Sequence, residues 1–349
     1  MKKIVSLLLA LSLSAGLLAG CSAAASSSSE AVSSQGTSSA ASSAVSVPAA
    51  ERTAFRIAGL KGPTTMGMVE LMKAAEDGTA RHDYEVAMYG TADEIVPKLV
   101  SGELDVAAVP ANLASVLYAK TQGGVQVAAV NTLGVLYVVE NGDAVQSIAD
   151  LKGKTVYTTG KGTTPEYVLN YLLRENGLDP EKDLTIEYKS EATEVAAALQ
   201  TAGAGAVAML PQPYVTVVSQ KIPELRVALD MTQEWNKVSP NSGLVTGVLV
   251  ARRDFITEHK AAFAEFLADY KNSTTYVNEN VDAAAELVAQ YGIIEKAPLA
   301  AKAIPQCNIT YLDGKKMKTA VAGYLQVLFD QNPKSIGGAL PGDDFYYGA

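Results

Sequence analysis

Two stretches a hundred residues apart follow the same plan. Glu94 to Pro110 reads EIVPKLVSGELDVAAVP, and Glu194 to Pro211 reads EVAAALQTAGAGAVAMLP. With one inserted residue, Leu99 aligns with Leu199, Gly102 with Gly203, Val106 with Val207 and Pro110 with Pro211. Each reads as a helix, a glycine turn, a buried strand and a proline at the strand's carboxyl end. In open parallel sheets ligands bind beyond that end. Two such units are expected to face each other across a cleft, with chance similarity in Ala/Val-rich sequence as the competing explanation.

The surrounding pattern agrees with an α/β chain. Strands are expected at Ala54–Ala58, Glu85–Met88, Asp105–Val109, Val125–Val130 and Val135–Glu140, with helices near Met66–Ala75 and Glu94–Val100 between the first three. Pro97 is expected in the first turn of its helix or at a kink. This alternation implies a mostly parallel sheet covered by helices on both faces. A second unit opens at Leu151-Lys152-Gly153-Lys154, with strands at Thr155–Thr158, Thr185–Tyr188, Ala206–Leu210 and Arg226–Leu229. Thr163 and Glu166 match a capping box for the helix that Gly177 ends. Gly243–Val250 is a further strand, and beyond it the pattern is almost wholly helical.

The amino terminus sets the compartment. Lys2 and Lys3 precede an apolar stretch, Ile4 to Leu18, in the layout of a secretory signal peptide. Leu18-Ala19-Gly20-Cys21 follows and resembles a bacterial lipobox, in which Cys21 would be acylated and become the new amino terminus. Residues 1–20 are therefore expected to be a signal peptide, and 21–51 a lipidated cysteine and a Ser/Ala tether. Such a tether has little apolar surface to bury, and its reach is about 30 Å. Cleavage would leave 26 basic against 37 acidic residues, a net charge of −11. This acidity argues against a nucleic-acid surface. Two cysteines and two histidines, His82 and His259, leave little for a disulfide framework, a metal site or a catalytic triad. After lipidation of Cys21 only Cys307 remains free, and it reads as a packing residue.

Taken together, the lipobox, the tether, and the segments SGELDVAAVPAN, SIADLKGKTVYTTGKGTTPEYVL and FITEHKAAFAEFLADYKNSTTYVNEN resemble the nitrate/sulfonate/taurine class of ABC-transporter solute-binding proteins. That class also includes binders of thiamine-pyrimidine precursors. The resemblance covers roughly Phe55 to Tyr291. It implies a type II periplasmic-binding fold: two α/β lobes, a ligand cleft between them and two hinge crossings. Lobe one is expected over 52–139 plus 245–349 and lobe two over 140–244, with crossings near Val139–Asn141 and Gly243–Thr246. It further implies a monomer without cofactor, held at the cell surface or in the periplasm, taking a small-molecule ligand to an ABC permease. The sequence departs from the class at Ala204-Gly205-Ala206, where a second Gly-x-x-Asp-Ala turn is common.

Two nucleotide motifs are only imitated. Gly153-Lys154-Thr155 lacks the glycine a P-loop needs at position 148, which is Ile148. Gly160-Lys161-Gly162 has Pro165 where a dinucleotide fingerprint needs its third glycine. The N–H groups of Gly162, Thr163 and Thr164 instead lie at a helix start, where the dipole favours negative or polar groups. Thr64 and Thr65 offer the same in the first unit. With Lys161, and with Tyr89, Asn112, Asn131, Gln212 and Trp235 at strand ends, they form the expected ligand lining. No arginine falls in an expected cleft loop, so the ligand is expected to be neutral, zwitterionic or singly charged. An enzyme on the same fold is the rival reading, although Glu191 is the one carboxylate at the cleft edge. A surface lipoprotein with a chaperone or adhesion role is a third.

Overall fold

In the computed structural model, which describes residues 52–240 and 242–349, the chain builds two mixed sheets. The leader, Cys21 and the tether expected over 1–51 lie outside the described residues. The chain first lays down β1 (Ala54–Leu60), β2 (Asp83–Tyr89), β3 (Val106–Pro110) and β4 (Val125–Leu133). It then crosses to a second sheet for β5 (Leu136–Glu140), β6 (Thr155–Thr158), β7 (Thr185–Tyr188), β8 (Val207–Pro211) and β9 (Arg226–Asp230). Finally it returns for β10 (Val245–Arg252) and β11 (Ile309–Leu312).

The strand orders are β2-β1-β3-β10-β4-β11 and β7-β6-β8-β5-β9. Read in parallel, the two sheets have one plan, and the strand that enters each lobe from the other sits fourth in both. The registers correspond residue by residue. Ile57 pairs with Val106 and Ala58 with Ala107, as Val156 pairs with Val207 and Tyr157 with Ala208. Pro110 lies opposite Gly247 on β10, and Pro211 lies opposite Leu136 on β5. The helices Ala92–Ser101 and Ala192–Ala202 occupy matching places, each burying its leucine, Leu99 or Leu199. Each ends on a glycine with φ of 82° or 71°, a left-handed turn in which a side chain would be strained.

Four expectations from sequence need correction. The sheets are mixed rather than mostly parallel, because β5 and β10 run antiparallel to both neighbours. Periodicity reports that a strand is buried but not its direction. The first crossing lies at Gly134–Val135 rather than 139–141, since all of Leu136–Glu140 pairs with β8 and β9. The helix expected from Met66 to Ala75 is two pieces, Pro63–Met66 and Val69–Glu76. Of the two places expected for Pro97, the first turn is excluded, since it stands in the interior of its helix.

One apolar core runs through both sheets, joining Val109, Leu117 and Val130 to Val138, Val156, Leu172 and Met209. Each such aliphatic side chain contributes roughly 1.5–3 kcal/mol by leaving water. A separate aromatic cluster backs the first sheet alone, where Phe55 packs on Tyr84, Phe255 and Phe266 with ring centroids 5.0–5.4 Å apart. His82 joins it, buried, with Nε2 2.9 Å from a Glu265 carboxylate oxygen. Cys307 is fully buried, and burial pushes its thiol up to about 12.

Candidate functional site

Residues that directly follow β3, β6 and β8 reach across to the other lobe. Beyond β3, the Asn112 amide donates to the Ser335 carbonyl at 3.1 Å, and its Oδ1 accepts from the Thr164 hydroxyl at 3.3 Å. The Tyr324 hydroxyl, from the helix Gly314–Gln331, donates to the same Thr164 oxygen at 3.3 Å. All three side chains are buried, so lobe one grips the first residue of the lobe-two helix Thr164–Glu175. On the other side Gln212 donates to Gln306 Oε1 at 3.0 Å and accepts from the Thr216 hydroxyl at 2.9 Å. The Tyr137 hydroxyl donates to the Gln306 carbonyl at 3.4 Å, and burial pushes that phenol up to about 12. The clasp is thus built from neutral amides and protonated hydroxyls.

The loops opening the first helix of each lobe share a Lys-Gly start and a Thr-Thr pair: Lys61-Gly62-Pro63-Thr64-Thr65 after β1 and Lys161-Gly162-Thr163-Thr164 after β6. In lobe one the Thr65 hydroxyl donates to the Leu60 carbonyl at 2.6 Å, and Thr64 does so at 3.3 Å. In lobe two the Thr163 hydroxyl and N–H both point back to the Gly160 carbonyl. The capping box expected between Thr163 and Glu166 does not form. Glu166 instead accepts from the Gly162 N–H at 2.5 Å, because the left-handed Gly162 turns its N–H toward the first helical turn. Of the three N–H groups expected to be free there, Gly162 and Thr163 are therefore occupied. Lys161 is exposed, its ammonium 5.8 Å from the Tyr188 ring centroid. The buried Tyr188 phenol is held above its usual range by burial and by Glu166.

Trp235 is fully buried between Tyr171 and Tyr324, at centroid distances of 4.8 and 5.6 Å, and its indole N–H donates to Ser242 Oγ at 3.0 Å. The ring thus sits where a lobe-two and a lobe-one tyrosine meet, beside the second crossing, with its donor satisfied. Tyr89 ends β2 half-buried, its carbonyl accepting from Lys61 N–H at 3.0 Å. Asn131 is buried under the lobe-one loop, its amide 3.5 Å from the Thr64 carbonyl.

Sequence reasoning missed Gln306 and Tyr324, which come from the carboxyl-terminal helical region, where periodicity marks only core. The seven arginines stand away from the carboxyl ends of the parallel strands. Arg56 and Arg252 pair with the buried Asp105 at the start of β3, and Arg226 pairs with the buried Glu140 at the end of the antiparallel β5. Arg52 lies before β1 and pairs with Asp83, Arg81 lies before β2, Arg253 pairs with Asp344, and Arg174 lies in the last turn of its helix. A surface concavity of about 550 Å³ between Leu99 and Glu258 is also at that far end, where Arg252 and Arg253 already have acidic partners. Among the described residues, no cluster of three or more His, Cys, Asp or Glu is placed to hold a metal.

Comparison with known proteins places this geometry. A family model described as ABC transporter, phosphonate, periplasmic substrate-binding protein matches residues 67–300. No curated protein matches the chain in sequence. Among solved structures, an ABC transporter from Parabacteroides distasonis is 23% identical over 84% of this chain and 98% of its own, with a TM-score of 0.69. The periplasmic aliphatic sulphonate binding protein of Escherichia coli is 17% identical over 84% and 96%, with a TM-score of 0.66. The periplasmic nitrate-binding protein of Synechocystis PCC 6803 is 12% identical over 76% and 75%, with a TM-score of 0.55. At these identities the structural likeness concerns the fold.

Proposed function

The chain belongs to the phosphonate-type family of ABC-transporter periplasmic substrate-binding proteins, and we propose that it is a surface receptor, tethered by lipid on Cys21, for a small ligand of low charge. Members of the family are extracytoplasmic binding components of ABC importers. Ligand between the lobes would stabilise their closed arrangement, which the permease then reads. The monomer delivers its ligand by opening again at the crossings, the first at Gly134–Val135 and the second just before Val245, which already pairs within β10 rather than lying in the crossing expected at Gly243–Thr246.

One observation carries the low charge. At the carboxyl ends of the parallel strands the chain offers hydroxyls, amides and the lysines Lys61 and Lys161, while every arginine stands elsewhere. A doubly charged oxyanion is normally met by bidentate guanidinium groups. A sulfonate, a carboxylate, a zwitterion or a neutral solute needs none.

A melting-temperature screen at pH 7 tests this. Sulfonates, taurine, nitrate, bicarbonate and pyrimidine precursors would be compared with the dianions sulfate and phosphate. A true ligand at about a hundred times its Kd adds roughly 2.7 kcal/mol of stability. Stabilisation by singly charged or neutral compounds is the expected outcome, and stabilisation by dianions alone would reverse the charge assignment. For the anchor, Cys21→Ala is expected to release the protein from the membrane fraction.

A further inference from the structure

Eight buried side-chain polar atoms have no hydrogen-bond partner of good geometry among the described residues; three, Asn131 Oδ1, Thr132 Oγ1 and Thr246 Oγ1, lie on adjoining residues of β4 and β10, and a fourth, the Tyr270 hydroxyl, faces the Asn131 side chain. Native proteins leave few such atoms, and a cluster of them calls for a missing partner. The place is where β4 and β10 meet at the carboxyl end of the first sheet, beside the end of β3, since Gly247 pairs with both Pro110 and Thr132.

The ladder is broken twice there. Val245 pairs with Leu133 and Gly247 with Thr132, so Thr246 has no residue opposite. Val248 then pairs with Val130, so Asn131 has none either. Two bulges back to back, one on each strand, take both residues out of the ladder; bulges of this kind re-aim side chains beside functional sites. A Cβ built on Gly247 would lie 2.6 Å from Asn131 Oδ1, 2.8 Å from Thr64 Cγ2 and 3.2 Å from Thr132 Cβ. Asn131, Thr64 and Thr132 therefore crowd Gly247, where glycine is required, and the half-buried Thr246 is its chain neighbour.

Asn131 and Thr132 are 1% and 0% exposed, and every residue at this point is uncharged. A charged group placed here would be buried without a counter-charge, at a cost of several kcal/mol. A hydroxyl suits it, because Asn131 Oδ1 accepts while each threonine hydroxyl either donates or accepts. We propose that this double bulge is a subsite for an uncharged, hydroxyl-bearing end of the ligand. The inference rests on the receptor reading above and adds to it the chemistry of one end of the solute.

The test uses two pairs of compounds matched in charge and size: isethionate against 1-propanesulfonate, and 3-hydroxypropanoate against butanoate. Calorimetry with the full chain is expected to show the hydroxyl member of a pair binding at least about tenfold tighter, as sites built to hydrogen-bond a substrate hydroxyl discriminate strongly. Thr132→Val and Thr246→Val should bring each pair to within about twofold. Equal binding of a pair by the unaltered protein overturns the subsite and leaves the receptor reading intact. Failure of all four compounds to bind counts against the receptor reading for small anions. The subsite is then decided without any ligand. Replacing an unpartnered hydroxyl by an isosteric methyl should leave the melting temperature of the free protein unchanged or raise it by about 1–3 °C. A lowered melting temperature in Thr132→Val would mean that the hydroxyl has a structural partner, and would overturn the proposal.

Discussion

The two lobes share one strand order but differ in what secures them. At the amino-terminal ends of the parallel strands, each sheet buries one acid. In lobe one it is Asp105, leading into β3, with Arg56 at 2.5 Å and Arg252, from the crossing strand β10, at 3.6 Å. In lobe two the polarity of the crossing strand is reversed. There β5 contributes the acid, Glu140, and the partners are Arg226 on β9 at 2.8 Å and Lys154 at 3.8 Å. Lobe one also has the aromatic cluster around Phe55 and the long helices Lys260–Glu279 and Gly314–Gln331. Lobe two has neither, and its edge strand β9 leaves Val227 46% exposed. A shared topology thus leaves the stability of each half free to differ, and the lighter half depends more on a single ionic contact.

The largest expected effect follows from that dependence. Arg226→Ala removes the close partner of the fully buried Glu140 and also two bonds to the Gly142 and Val145 carbonyls. Glu140 then keeps only Lys154 at 3.8 Å and the Val145 N–H at 2.9 Å, and breaking a buried pair in this way costs up to about 3–5 kcal/mol. Arg252→Ala leaves Asp105 with the bidentate Arg56 and the Arg56 backbone N–H, so its cost is expected to be smaller. Urea denaturation of both variants checks the contrast. Equal losses would mean that the two ionic clusters are interchangeable.

Much of this plan was legible from residues. The repeat between Glu94–Pro110 and Glu194–Pro211 names two helices and two strands that occupy corresponding places, because a glycine turn before a buried strand is a local signal. The absence of arginine from the loops at the carboxyl ends of the parallel strands was equally readable. Strand direction was not, since β5 and β10 look like any other buried run and only their partners make them antiparallel. For the same reason the first crossing was misplaced by several residues. Among the expected lining residues, Trp235 is fully buried against Tyr171 and Tyr324, a packing that position along the chain does not reveal. The bulges at Asn131 and Thr246 were invisible, as they are properties of a pair of strands.

A middle-sized effect probes the crossings that the lobes share. Gly134 lies between β4 and β5, and a Cβ there would approach Thr232 Oγ1 to 2.0 Å and Leu244 Cδ2 to 3.0 Å. Thr232 belongs to the lobe-two helix Met231–Val238, and Leu244 ends the second crossing. Gly134→Ala therefore forces the two crossings apart, at about 1–3 kcal/mol for an overpacked site. A loss in that range, accompanied by altered ligand affinity, would tie the crossings to closure. Unchanged affinity with the same loss would make Gly134 a packing residue only.

The smallest expected effect addresses the clasp itself. Tyr324 reaches from lobe one to the Thr164 hydroxyl, and its ring packs on Trp235 of lobe two. Tyr324→Phe keeps the ring and removes only the hydrogen bond, for which about 0.5–1.5 kcal/mol is expected. Thr164 still donates to Asn112, so the helix start is loosened rather than freed. If the clasp biases the lobes toward contact before any ligand arrives, the variant should open more often. Because Trp235 is the sole tryptophan and touches the altered ring, its emission should shift toward that of a more solvated indole in the free protein. Saturating ligand should bring the emission back, and affinity should fall by roughly the factor of 2–13 that such an energy represents. An unchanged spectrum with unchanged affinity would show that the lobes meet here without consequence for closure, and that the crossings alone set the balance.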